Sequence, residues 1–150
     1  MSKKINSEAN RVAVAIKSNK AEYYVADVDL GDVSNDVCAC SLAVTKTLGK
    51  VKSNFMLISA DVKYLIVVVE MSDVSKITAK DWLLESLTGI SEALITENLT
   101  STTNNSAKIV LELDTPFKYK DVIRSNAFTH LRKLNLLQEE SEDENYLDDW

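Results

Sequence analysis

Three aspartates within six residues, Asp27, Asp29 and Asp32, are the first side chains in this chain whose type and spacing suit a reaction. They lie in the run Val25-Ala26-Asp27-Val28-Asp29-Leu30-Gly31-Asp32. In a strand, alternate side chains share a face, so Asp27 and Asp29 point the same way near its end. Carboxylates converging there can hold a hard cation such as Mg²⁺, the basis of a metal-dependent phosphohydrolase. A solvated strand edge gives the same pattern with no chemistry attached.

The soft ligands point the other way. Cys38 and Cys40 are two apart, and on a helix such residues face nearly opposite directions. His130 is the single histidine, so one chain cannot assemble four soft ligands for zinc. Cysteine is also a common small core residue, which is the reading adopted for this pair. No serine or cysteine stands in a recognisable nucleophile context beside His130, so a triad is not arguable. The three glycines, Gly31, Gly49 and Gly89, form no phosphate-cradling loop. The pattern implies no cofactor, and a binding protein is favoured over an enzyme.

Binding chemistry is better supplied. Lys46, Lys50 and Lys52, then Lys118 and Lys120, then Arg132 and Lys133 are loose basic clusters, and Tyr23, Tyr24, Phe55, Tyr64 and Tyr119 offer stacking faces. Single-stranded nucleic acid is held by that combination. Charge along the chain is uneven. Seven of the 23 acids and none of the 17 bases fall in residues 139–150, which leaves 16 acids against 17 bases in residues 1–138. A plain solubilising tail has no use for large apolar residues, yet this one carries Tyr146, Leu147 and Trp150 around Asp148 and Asp149. Acidic segments with aromatic anchors suit docking on a basic partner surface, where charge steers and the ring holds.

Three resemblances attach to these residues. The aspartate run resembles the DxD nucleophile motif of haloacid-dehalogenase-like phosphatases. The acidic aromatic tail is similar to the C-termini of single-stranded DNA-binding proteins, which implies recruitment of a partner protein and competition with DNA. From about Tyr23 to Leu94 the element order resembles the C-terminal globular domain of alanyl-tRNA synthetases. There Lys76-Ile77-Thr78-Ala79-Lys80-Asp81-Trp82-Leu83 looks like the start of that domain's tryptophan-bearing helix. That resemblance implies tRNA binding or dimerisation without catalysis.

The elements that must position these groups follow from periodicity. Val12, Val14 and Ile16 alternate with smaller or polar residues, as do Tyr24, Ala26, Val28 and Leu30; the two segments predict a hairpin around Asn19-Lys20. Ser34 or Asn35 caps a helix with Val37, Cys40, Val44 and Leu48 on one face. Asn54 to Ala60 and Tyr64 to Met71 predict a second hairpin, its Leu65–Val69 run apolar on both faces and therefore central. Thr78 and Asp81 start a helix continuing through Leu83, Leu87, Ile90 and Leu94, with Gly89 as a bend. Leu99 to Ser106 predicts a polar loop, Ala107 to Leu113 a strand, and Ile123, Ala127, Leu131 and Leu134 a last helix.

The fold expected is α+β: a ferredoxin-like β-α-β-β-α-β core with an extra N-terminal strand and a C-terminal helix. Its sheet is antiparallel, with helices on one face. Residues 1–10 are expected to be loose, 11–138 to form one domain, and 139–150 to be the tail. The longest apolar stretch, Leu65 to Val69, is far too short to span a bilayer. With no signal-peptide pattern, the expected compartment is the cytoplasm or another reducing intracellular space. The function expected is a non-enzymatic interaction module, or a subunit of a larger assembly, whose tail docks a protein partner. Single-stranded nucleic acid or tRNA, and a homo-oligomer, stand as alternatives.

Overall fold

The computed structural model describes residues 3–20, 22–28, 36–60 and 63–136, with backbone alone for residues 3, 4, 36–38, 100 and 101. The elements are α1 (Lys3–Asn19), β1 (Tyr23–Asp27), α2 (Asp36–Leu48), β2 (Asn54–Ala60), β3 (Tyr64–Glu70), α3 (Ala79–Ser86), α4 (Glu92–Asn98), β4 (Leu99–Thr102), β5 (Ser106–Glu112) and α5 (Pro116–Lys133). The fold is α+β, and β1, α2, β2, β3, α3 and β5 supply the β-α-β-β-α-β order broadly compatible with a ferredoxin-like arrangement. Five strands lie side by side in the order β1-β2-β3-β5-β4.

Two central strands with apolar residues on both sides demand cover on both sides. Met56, Ile58, Leu65 and Val67 face Trp82 and Leu83 of α3 and Ile123, Ala127 and Leu131 of α5. Phe55, Leu57, Ile66 and Val68, of opposite parity, face Val12 and Ile16 of α1 and Cys40 and Val44 of α2. Helices therefore cover both faces, not one. The sheet is also mixed: β1 runs parallel to β2, and the other pairings are antiparallel. The parallel pair follows from the intervening α2, because a parallel connection needs a crossover of helical length.

The predicted N-terminal strand is a helix, and residues 3–10, expected to be loose, form its first turns. Ile5, Ala9, Val12, Ala13 and Ile16 are buried while Val14 is 51% exposed. That spacing of four, three, one and three is helical. The apparent alternation of Val12, Val14 and Ile16 came from a window that left out Ile5 and Ala9 and gave small Ala13 no weight.

Thr78 caps α3 as expected, its Oγ1 accepting the Asp81 N–H at 3.2 Å. The helix stops at Ser86, earlier than periodicity predicts. Gly89 adopts a φ of +100°, which only glycine takes without strain, and Ser91 caps the separate α4. The predicted loop at 99–106 contains β4, which joins β5 across a register shift between Leu99 and Ser101. Asn135 ends α5 at a φ of +58°. The Asn135 and Leu136 N–H groups donate to the carbonyls of Arg132 and Leu131, the paired bonds of a Schellman cap. The chain thus doubles back and lays Leu136 on the core. Among the described residues no helix is long and apolar enough to cross a membrane.

Candidate binding surface on the C-terminal helix

Two side chains hold α5 in place. Trp82, fully buried, donates its indole N–H to the Ala127 carbonyl at 3.3 Å and meets Tyr23 edge-on with ring centroids 5.9 Å apart. Asn126 donates to the carbonyls of Ser86 and Thr88 at 3.1 and 3.0 Å, carbonyls that the end of α3 would otherwise leave open. His130 Nδ1 lies 3.7 Å from Glu85 Oε1 across the same seam. Ile123, Ala127 and Leu131 are turned inward, and Lys118, Asp121, Arg124, Ser125, Arg132 and Lys133 are exposed.

That outer side is basic. Along α5 stand Lys118, Lys120, Arg124, Arg132 and Lys133 against the single acid Asp121. Arg124, Phe128 and Arg132 recur every fourth residue and so form one stripe. With Asp121 and Ser125 they line an open cleft of about 320 Å³. Phe128 is half-buried against the core, a fixed apolar floor between two guanidinium groups. Among the described residues neither guanidinium has an ion pair or a hydrogen bond. Phe117, 53% exposed, stands near the start of the helix, with Lys120 Nζ 5.7 Å from its ring centre.

The seven basic residues singled out in the sequence fall into two groups. Lys118, Lys120, Arg132 and Lys133 share α5. Lys46 lies in the last turn of α2, and Lys50 and Lys52 follow on the connection to β2. They belong to the helix layer on the other side of the sheet. Lys52 lines a smaller cleft of about 230 Å³ beside Val51, Ser53, Glu70 and Ser72. Arg124 and Phe128, which line one cleft with Arg132, were missed in the sequence. Their spacing relative to Arg132 was the available signal.

Asp27 closes β1. Its Oδ2 lies 4.0 Å from Lys120 Nζ, and its carbonyl accepts from Arg11 Nη2 at 2.6 Å. Its Oδ1 is buried without a hydrogen-bond partner among the described residues. The Arg11 guanidinium is pushed further up by its hydrogen bond to Glu8. Asp27 thus sits among cations. Asp29 and Asp32 lie outside the described residues, and among those described no group of three or more His, Cys, Asp or Glu could hold a metal ion. The Cys40 thiol is fully buried and pushed up to about 11 by that burial, as befits a core residue. The side chain of Cys38 lies outside the described residues. So do Tyr146, Leu147, Asp148, Asp149 and Trp150 of the tail.

No family model and no curated protein matches the chain. Among solved structures, the chain is similar to the crystal structure of CDC45 from Entamoeba histolytica. The two are 14% identical with a TM-score of 0.41 over 83% of this chain, which spans 28% of that one.

Proposed function

We propose that this protein is a non-enzymatic interaction module, a subunit that works by docking partners through its acidic, aromatic-anchored residues 139–150. The observation that supports the reading is the charge layout at this end of the fold. A helix carrying five bases and one acid is followed, after the five uncharged residues 134–138, by twelve residues with seven acids and no base. Surfaces of opposite sign and with aromatic anchors suit specific, steered association. Its place is a reducing intracellular compartment. The test is co-purification from cells expressing the full chain or residues 1–138. Loss of a partner from the truncated, still folded protein is expected; an unchanged partner set sinks the reading.

The Arg124–Phe128–Arg132 stripe favours a second reading, single-stranded nucleic acid. Guanidinium groups pair with phosphates, and a base stacks on the ring between them. Fluorescence anisotropy of a labelled oligonucleotide decides it. The expected result is salt-sensitive binding that tightens when residues 139–150 are removed. No binding by either form removes the reading.

A further inference from the structure

We propose that the occupant of the α5 cleft is the chain's own acidic segment, residues 139–150, with Trp150 seated on Phe128 between Arg124 and Arg132. The proposal rests on the reading of that segment as a docking element, and it adds where the segment rests when no partner holds it. Three observations carry it.

The first is charge. Arg124 and Arg132 flank the cleft, while Asp121 is the one acid that lines it. A dianionic or more acidic peptide is favoured over that single opposing carboxylate, and an apolar residue has Phe128 to rest on. The second is reach. The Schellman cap turns the chain back so that Leu136 packs beside Leu131. From the level of Leu131 to that of Arg124 is about 10 Å along the helix. The fourteen residues after Leu136 span up to about 45 Å extended. The segment therefore reaches every part of the cleft with slack. The third is tethering. A linker of this length gives a local concentration in the millimolar range, so an intrinsic affinity of about 1 mM holds the segment down about half the time or more. A partner that binds residues 139–150 must displace this contact, and a ligand on α5 releases the segment.

Trp82 and Trp150 are the only two tryptophans, and Trp82 is fully buried. Acrylamide quenching of the full chain, with Trp150→Phe as the baseline, therefore reads Trp150. At low salt Trp150 is expected to be shielded. Arg124→Glu with Arg132→Glu, or added salt, should raise its quenching about twofold, as expected when a half-occupied tethered contact is lost. Arg124→Lys with Arg132→Lys should retain most of the shielding, and circular dichroism should show all variants folded. Equal quenching in the wild-type and charge-reversed chains overturns the proposal. Shielding that disappears on dilution also overturns it, because the occupant is then a second copy. Neither result touches the partner co-purification experiment, so the docking role and the resting position fail separately.

Discussion

Removing the side chain of Asn54 should cost more than any other single polar deletion on this sheet. The residue is 1% exposed and stands at the start of β2. Its Oδ1 accepts the N–H groups of Ser72 and Asp73 at 2.9 and 3.0 Å. Its Nδ2 donates to the Glu22 carbonyl at 3.1 Å, which the Asn54 backbone N–H also reaches at 2.8 Å. One amide thereby ties the lead-in to β1 and the exit from β3 to the same end of the sheet. Three net hydrogen bonds at about 1 kcal/mol each give about 3 kcal/mol. Water can reach Ser72 and Asp73, both exposed, so Asn54→Ala is expected to lose about 2–3 kcal/mol. With a urea slope in the usual range of about 1–3 kcal/mol/M, the midpoint falls by about 0.7–3 M. Asn98→Ala is the control. Its amide makes one local bond, to Leu94 at 2.8 Å, and about 1 kcal/mol is expected. Asn54→Ala losing no more than Asn98→Ala would show that this amide does not tie the sheet end.

Burial holds the Glu70 carboxyl above its ordinary value, with the Ser106 hydroxyl bond at 2.7 Å opposing the shift. A raised carboxyl binds its proton more tightly in the folded state. Its contribution is therefore full below the unfolded value and lost as pH rises through the folded one. Thermal melts should show Glu70→Gln more stable than wild type at neutral pH, with the gap closing in acid; a constant gap refutes this. Asn135→Val should cost about 1–2 kcal/mol in urea unfolding because its φ is left-handed, whereas Asn135→Gly should be close to neutral. In a Cys38→Ser background, Cys40 should resist a thiol reagent until the chain unfolds, since its thiol is both buried and raised; prompt labelling of the native protein contradicts its placement.

The hairpin of β2 and β3 was legible because Leu65–Val69 and Asn54–Ala60 are apolar on both sides, a pattern that only a central strand satisfies. Thr78 was legible for a local reason, since one hydroxyl meets one backbone N–H three residues on. The N-terminal helix was not. A short alternating window obscures a 3.6-residue repeat when part of the buried stripe is alanine, whose apolar signal is weak. Helices on both sheet faces also followed from the two-sided strands, but that inference needed the partner stripe on α1. In the α5 surface, Lys118, Lys120, Arg132 and Lys133 were read as charges in pairs. Helix geometry joins Arg132 to Arg124 and Phe128 in one cleft, and inspection of single residues does not see that join.

The parallel seating of β1 on β2 has a kinetic consequence. β2 and β3 are joined by residues 61–63, so their ladder closes a very short loop and can form early. β1 cannot pair until α2 has formed and crossed the sheet, and β1 is bonded along one side only. The strand that carries Asp27 is therefore expected to join after the β2–β3 ladder and, like the other edge strand β4, to open before it. Native-state hydrogen exchange should rank the amides of β3 slowest and those of β1 among the fastest in the sheet. The end of the molecule where Asp27, Arg11 and Lys120 meet can thus open while the β2–β3–β5 ladder and α5 remain folded.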